Sequence, residues 1–154
     1  MSRAGAAAKK SRRQAGGAAA GGGLNFQAAV TAIALIYMLR AQPIRWLENL
    51  AHDLLVGVEA ETGTGGDDIR LVVAGGETIE VQVKKGLRAT DELWTALIAM
   101  AEAIDKGSGV FGLLAVCPDS SRTIRSGLQQ DLVAIGERRT DGLSPLGNQW
   151  LQRL

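Results

Sequence analysis

The stretches Gly65-Gly66-Asp67-Asp68-Ile69-Arg70-Leu71-Val72-Val73 and Ile79-Glu80-Val81-Gln82-Val83-Lys84-Lys85 decide the fold of this chain. In both, apolar and polar residues alternate, which is typical of a β-strand with one buried face. The residues that follow the first stretch, Ala74-Gly75-Gly76-Glu77, are typical of a turn. The sequence therefore predicts a β-hairpin that opens on an acidic pair and closes on a Gln-x-Lys triplet.

The alternation also predicts the register of this hairpin. Side chains change face at every residue, so the apolar residues of the two strands should share the buried face. This requires Ile69 to pair with Val81 or Val83, and such a pairing requires a loop of odd length. A three-residue loop with a glycine in the left-handed region meets that requirement.

The same register places Asp68, Gln82 and Lys84 on the other face, at one end of the sheet. An even, two-residue turn at Gly75-Gly76 would instead place Asp67 there, so we favour Asp68 as the carboxylate and keep Asp67 as the alternative. Metal-dependent phosphodiester hydrolysis needs this combination of groups. The oxygens are ligands for a hard cation, and the ammonium acts on the phosphate and the attacking water.

Periodicity places the hairpin within a series of helices and strands. Asn25 is a candidate N-cap for a long helix to Arg40, which is apolar nearly all round and is expected to be buried on more than one side rather than to span a membrane. The apolar run Val110–Val116 predicts a central buried strand. The remaining predicted elements are a strand over Leu54–Thr62, a helix over Asp91–Asp105 and a helix from Pro118 to about Glu137.

This pattern resembles the PD-(D/E)xK nuclease superfamily, in the branch where glutamine replaces the acidic residue of the last triplet. Mrr-type restriction endonucleases are similar, as are nuclease domains of bacterial anti-phage effectors, both cyclic-oligonucleotide-activated ones and those fused to STAND NTPases. The matching residues are Asp68, Gln82 and Lys84, within a resemblance that spans Gly23 to Arg138. It implies an α/β, restriction-endonuclease-like fold, with a mixed four-stranded sheet flanked by helices in the order α-β-β-β-α-β-α.

The resemblance also implies the roles of these residues. Asp68, the side-chain oxygen of Gln82 and the carbonyl of Val83 would bind a divalent ion, Mg²⁺ with Mn²⁺ as the alternative. Lys84 would orient or help to deprotonate the attacking water and would stabilise the phosphate. Because glutamine removes one negative charge from the site, we expect weak metal affinity until the substrate phosphate supplies further oxygens.

Other candidate site residues lie around this triplet. Family members often carry a further acidic residue on the first helix, whereas this sequence has Gln27 at the corresponding place. Glu59 or Glu61, on the preceding strand, could supply the missing carboxylate of a second metal site. Lys85 and Arg88 follow the triplet and are candidates for binding the nucleic-acid backbone.

Charge divides the chain into two parts. The whole chain has 154 residues and a net charge of +1, and residues 1–22 contain five basic and no acidic side chains, so residues 23–154 carry −4. The domain is therefore not a strongly basic, DNA-coating one. We interpret 1–22 as a disordered, basic, Ala/Gly-rich tail, and favour a solvated tail over a nucleic-acid-binding arm. Residues 23–154 form the nuclease-like domain, which we interpret as part of a larger protein.

Single cysteine and histidine residues narrow the possible chemistry. Cys117 alone cannot form an internal disulfide, which favours a reducing, cytoplasmic compartment, and we interpret it as a small buried hydrophobe. His52 is the only histidine, so a multi-histidine zinc site is excluded. We interpret His52 as a surface or interface residue.

Two functions remain in competition. The first is a Mg²⁺-dependent endonuclease that cuts DNA, most readily double-stranded DNA, as the effector nuclease domain of a bacterial anti-phage defence protein. The resemblance further implies a homo-oligomer, with a fused or regulating sensor or NTPase module and no membrane partner. The alternative is a catalytically inactive nuclease-fold module for nucleic-acid binding or assembly. In that case the acidic pair is a solvated turn, and Lys84-Lys85 protects a strand end from aggregation.

Overall fold

The computed structural model describes residues 4–44, 46, 53–60, 68–107 and 109–153, with side chains from residue 22 onward. The chain is α/β, with a four-stranded mixed sheet flanked by helices. The elements are α1 (Ala4–Leu39), β1 (Leu55–Ala60), β2 (Ile69–Val73), β3 (Thr78–Lys84), α2 (Asp91–Lys106), β4 (Val110–Val116), a π-helical turn (Thr123–Leu128) that continues into α3 (Gln129–Gly136), and α4 (Pro145–Leu151).

The strands lie in the order β1-β2-β3-β4. The first three are antiparallel neighbours, whereas β4 pairs with β3 in parallel after the crossover through α2. The prediction of a central β4 is therefore wrong, because within the described residues β4 pairs with β3 and lies at the edge of the sheet. Its residues are all partly buried, since Leu114 and Val116 pack into the core with α2, and Phe111, Leu113 and Ala115 pack against the core on the other face. An apolar run alone does not distinguish an inner strand from an edge strand that is covered on two faces.

The β2–β3 hairpin has the predicted register. Ile69 pairs with Val81, across a loop of three residues that ends at Gly76. Gly76 has a φ of 87°, and its N–H donates to the carbonyl of Val73 at 2.9 Å, while the N–H of Val73 donates to the carbonyl of Glu77 at 2.9 Å. The odd-length loop with a left-handed glycine is thus confirmed, and the apolar faces of the two strands coincide.

The sheet has an apolar core on each face. One core lies between α1 and the face that carries Leu71 and Ile79, and the other lies between the opposite face and α2, α3 and α4. Gly112 of β4 permits close packing of α2, because a Cβ at this position would lie 2.9 Å from Cδ1 of Ile104. Trp94 and Trp150 stack within the second core, with ring centroids 6.4 Å apart.

Helix α1 differs from the prediction at its start. It begins at Ala4 rather than after Asn25, so Asn25 lies inside the helix and is not its N-cap. The segment interpreted as a disordered tail is thus helical from Ala4 onward in the structure. Alanine has the highest helix propensity of all residues, which accounts for a helical extension that lacks large apolar side chains.

Burial of α1 is also narrower than predicted. Val30 and Ala34 are buried against the sheet, whereas Ile33, Ile36 and Leu39 are exposed. Against the part of the chain that the structure describes, the helix therefore packs through one face and not on several sides. Its segment Gly22–Leu39 has the length and mean hydropathy, 1.5, of a membrane span, but core helices and signal sequences share those properties.

The C-terminal helices are joined by a buried carboxylate. Asp131 of α3 is 5% exposed and accepts hydrogen bonds from the backbone N–H and the hydroxyl of Ser144, which caps α4. Gly147 lies directly over this carboxylate, since a Cβ there would be 2.5 Å from Cγ of Asp131. Asp131 thus has a structural role in holding α4 against α3.

Candidate functional site

Asp68 lies immediately before β2, at the end of the sheet where β3 finishes. Because Ile69 pairs with Val81, Asp68 stands opposite Gln82. The N–H of Asp68 donates to the carbonyl of Val81 at 3.0 Å, and the Asp68 Oδ2 accepts from the N–H of Val83 at 2.7 Å. The carboxylate is therefore held beside the backbone of β3 and does not belong to a freely solvated turn.

The Val83 carbonyl faces the same way as this carboxylate. In an extended strand the N–H and C=O groups of one residue point toward the same neighbouring strand, and the next residue points the other way. Val83 N–H points to Asp68, whereas the Lys84 carbonyl accepts from Cys117 N–H at 3.3 Å, on the β4 side. The Val83 carbonyl oxygen and the Asp68 carboxylate therefore lie on one side of β3.

Gln82 and Lys84 occupy the other face of β3 from Val83. Gln82 pairs in register with Leu114 and Lys84 with Val116, and these β4 residues pack into the core formed with α2. Gln82 is buried and Lys84 is partly buried. The predicted sharing of one sheet end by Asp68, Gln82 and Lys84 agrees with this register.

Gln27 reaches the site from α1. Its Nε2 donates to the carbonyl oxygen of Asp68 at 3.1 Å. The resemblance described in the sequence analysis led us to expect an acidic residue at this position. A glutamate there could not donate to a carbonyl, so the amide makes a contact that an acidic residue could not make. Gln27 thus positions the backbone of Asp68, and we assign it no ligand role.

A ladder of charges lies next to the site on the same sheet face. Arg70 Nε donates to Oε1 of Glu80 at 2.8 Å, and Arg70 Nη1 lies 3.9 Å from Oε2 of Glu59. Glu59 therefore faces an arginine. The sequence analysis missed the Arg70–Glu80 pair, although the predicted register already placed these opposite charges directly across from each other.

Lys84 and Lys85 lie on different faces of the sheet. Lys85 follows Lys84 on the opposite face, and its ammonium lies against α1, where a Cβ on Gly22 would be 2.6 Å from Lys85 Nζ. Arg88 is exposed in the loop after β3. Neither has a hydrogen bond to the Asp68 carboxylate among the contacts of the described residues. Asp67, Glu61 and His52 lie outside the residues that the structure describes.

Hydrogen bonds fasten the loop after β3 to the loop after β4. Leu87 N–H donates to Ser120 Oγ at 3.0 Å, Ser121 N–H donates to the Leu87 carbonyl at 2.9 Å, and Gly86 N–H donates to Cys117 Sγ at 3.2 Å. Cys117 is buried, as predicted. These bonds hold the chain immediately after Lys84, so the end of β3 has a defined backbone.

The oxygen atoms at this end of the sheet suit a hard cation. Asp68 supplies a carboxylate, Gln82 an amide oxygen and Val83 a backbone carbonyl, and Mg²⁺ prefers such ligands, keeping several waters when protein ligands are few. In the part of the chain that the structure describes, no three Asp, Glu, His or Cys side chains are grouped to hold a metal. With these three described residues as its protein ligands, a cation would also need oxygens from water and from the substrate.

Comparison with known proteins found no similar protein. No protein-family model matches the chain, and searches of the curated proteins and of the solved structures gave no match. The likeness to PD-(D/E)xK nucleases therefore rests on the residues and their arrangement.

Proposed function

We propose that this chain is a Mg²⁺-dependent DNA endonuclease domain of the restriction-endonuclease-like, PD-(D/E)xK type. The observation that carries the proposal is the hydrogen bond from Val83 N–H to Asp68 Oδ2, at 2.7 Å. It brings the carboxylate beside the strand that bears Gln82 and Lys84. The bond joins the carboxylate to the middle residue of the Gln-x-Lys triplet.

The proposal gives each residue a function. Asp68, the side-chain oxygen of Gln82 and the Val83 carbonyl would hold the ion, with Mn²⁺ as an alternative to Mg²⁺. The ion would lower the pKa of a water molecule and neutralise charge on the phosphate. Gln27 fixes the Asp68 backbone, so the carboxylate does not need to be ordered when substrate binds.

Lys84 completes the set as the one cation of the triplet on the Gln82 face. Its ammonium would orient the attacking water and stabilise the negative charge that builds on the phosphate in the transition state. Hydrolysis then forms a bond from the water oxygen to phosphorus and breaks the bond from phosphorus to the leaving sugar oxygen, which takes up a proton. One divalent site suffices for this, in agreement with Gln27 in place of an acidic residue.

The biological setting follows from the resemblance alone. We propose that the domain acts in the cytoplasm on double-stranded DNA, as the effector nuclease of an anti-phage defence protein. A homo-oligomer would place two such sites on opposite strands, and a fused or separate sensor or NTPase module would control them. No membrane is required.

A plasmid-nicking assay tests the activity. Wild type, Asp68→Asn and Lys84→Ala are compared on supercoiled plasmid with Mg²⁺, with Mn²⁺ and with a chelator. Lys106→Ala is the matched control, since Lys106 is an exposed lysine near the start of β4, at the other end of the sheet from Lys84. We expect wild type and Lys106→Ala to nick DNA, and the two site variants and all chelated samples to be inactive. Equal nicking by all four proteins would refute the proposed site, and the same assay on RNA decides the substrate.

One observation favours the alternative of an inactive nuclease-fold module. The described residues offer a single carboxylate at the site, because Glu59 and Glu80 both face Arg70. If wild type binds DNA but never nicks it with either metal, the inactive module is the better description.

A further inference from the structure

The distribution of charge raises the question of how this domain would hold a polyanion. Residues 23–154 carry −4, whereas residues 1–22 carry +5. Neutralising phosphates with lysine and arginine supplies most of the non-specific affinity of proteins for DNA. If the proposed nuclease function holds, the basic segment is the main source of such affinity in this chain.

The structure relates this segment to the candidate site. Helix α1 is continuous from Ala4 to Leu39. Two contacts fix its course past the site: Gln27 donates to the Asp68 carbonyl, and Lys85 Nζ lies against the backbone at Gly22. Since Gly22 precedes Gln27, the helix leaves the sheet beyond the end that carries Asp68 and Lys84. The basic positions therefore extend beyond that end of the sheet, from the sheet face opposite Gln82 and Lys84.

Helical periodicity places the basic positions on a particular face. Position 9 is 18 residues before Gln27, which is five full turns at about 3.6 residues per turn, so the two positions have the same direction around the helix axis. Positions 12 and 13 lie within about 60° of that direction. Three of the four basic positions in this part of the helix thus share the face of Gln27, which is the face turned toward Asp68.

The rise of the helix gives the distance from Gln27 to the basic positions. At a rise of about 1.5 Å per residue, positions 13 and 9 are about 21 and 27 Å from Gln27. With about 3.4 Å per base pair, these distances correspond to roughly six to eight base pairs of duplex. Lys85, beside Gly22, lies between the two ends.

We infer that the N-terminal part of α1 is a DNA-binding arm. It would bind the phosphate backbone of the same duplex that the proposed site cleaves, about six to eight base pairs from the scissile phosphate. The basic residues of the arm are Lys9, Lys10, Arg12 and Arg13, and Lys85 adds positive charge where the arm meets the sheet, on the face opposite Lys84. The arm reads no bases, so it gives affinity without sequence preference.

The inference rests on the proposed function, and binding is tested apart from cleavage. All proteins carry Lys84→Ala, so that DNA stays intact, and binding to labelled duplexes is measured by fluorescence anisotropy. The arm variant replaces its four basic residues by glutamine, and the charge-matched control replaces four exposed basic residues outside α1 by glutamine, namely Lys106, Arg138, Arg139 and Arg153. Circular dichroism checks that both remain folded.

We expect the arm variant to bind a duplex of about 30 base pairs at least tenfold more weakly than the parent. The slope of log affinity against log salt should fall by about 3.6, because each phosphate that the arm no longer neutralises lowers it by about 0.9. Binding to a duplex of about 8 base pairs, too short to span both regions, should change much less. An unchanged affinity, or an equal loss in the control, would overturn the arm.

Two further outcomes separate the explanations. If wild type does not nick plasmid but the arm variant still loses duplex binding, the proposed nuclease activity is refuted and the proposed DNA-binding arm is supported. If the parent does not bind duplex DNA but binds vesicles of anionic phospholipid through the four basic residues, the segment binds membrane surfaces. The proposed DNA-binding arm is then refuted.

Discussion

The Nε2 of Gln27 donates a hydrogen bond of 3.1 Å to the carbonyl oxygen of Asp68, and so links the first helix to the candidate catalytic carboxylate. We expect Gln27→Ala to lower the cleavage rate at saturating DNA, with little change in the DNA concentration for half-maximal rate, because the residue positions Asp68 and does not touch DNA. The loss of stability should be about 1 kcal/mol. Thermal unfolding and single-turnover nicking measure the two effects.

Gln27→Glu tests whether this hydrogen bond itself is needed, because a carboxylate at this position cannot donate to the Asp68 carbonyl. It should be at least as damaging as alanine. Asn25→Ala, an exposed change on the same helix, is the control. Full activity of Gln27→Glu would show that the hydrogen bond has no positioning role.

Asp68→Asn should separate the charge of this residue from its structural contact. An asparagine oxygen can still accept the Val83 N–H, so stability should stay within about 0.5 kcal/mol of wild type. The lost negative charge should abolish any rise in melting temperature on adding Mg²⁺ or Mn²⁺, together with nicking. Asp68→Ala should in addition cost about 1 kcal/mol, since Val83 N–H then loses its acceptor.

The hairpin loop gives a matched pair of glycine substitutions. Gly76 has a φ of 87°, so Gly76→Ala should destabilise the fold by about 1 kcal/mol. Gly75→Ala should cost less, because its Cβ would meet only the end of the flexible Asp53 side chain, at 2.9 Å from Oδ2. Urea unfolding of both variants measures the difference, and an equal cost would contradict the assigned loop geometry.

This hairpin also shows how far sequence reasoning reaches. The pairing of Ile69 with Val81 follows from alternation and an odd-length loop, both of which are local properties. The bond from Val83 N–H to Asp68 Oδ2 was not predicted, because Asp68 N–H donates to Val81 and its backbone departs from the regular ladder. Alternation carries no information about such a departure.

Features that depend on packing between elements were predicted less well. The contact from Gln27 to Asp68 requires the crossing angle of α1 on the sheet, which no periodicity reveals. The edge position of β4 depends on which strand pairs with it, and its apolar composition is equally suitable for the centre of a sheet. Apolar residues all round α1 predicted burial on several sides, yet Ile33 and Ile36 remain exposed, because among the described residues the sheet packs on a single face of the helix.

The end of α1 offers a stabilising substitution. Ala41 has a φ of 47°, and the N–H groups of Ala41 and Gln42 donate to the carbonyls of Met38 and Tyr37, as in a Schellman motif. Glycine adopts this conformation without strain, so Ala41→Gly should stabilise the fold by about 0.5–1 kcal/mol. Ala32→Gly, at an exposed position in the middle of the same helix, should destabilise it by about 1 kcal/mol. Opposite shifts in melting temperature are expected, and shifts of the same sign would contradict the cap.

Arg70 and Glu80 form a buried ion pair. Removing one of the two partners should cost more stability than the intact pair contributes to the sheet. Glu80 is 6% exposed and Arg70 Nε lies 2.8 Å from its carboxylate, so Arg70→Ala leaves a buried negative charge without its arginine. We expect a loss of about 2–3 kcal/mol, below the usual range for a fully buried pair because a quarter of the arginine side chain is exposed.

The double variant Arg70→Met with Glu80→Leu should recover most of this loss, since the remaining side chains are apolar and of similar size. Urea unfolding of Arg70→Met, of Glu80→Leu and of the double variant completes a mutant cycle with wild type. Losses that simply add would show that the two charges do not interact. The same three proteins in the nicking assay test whether this ladder, two register positions away from Asp68 and Gln82, also shapes the site.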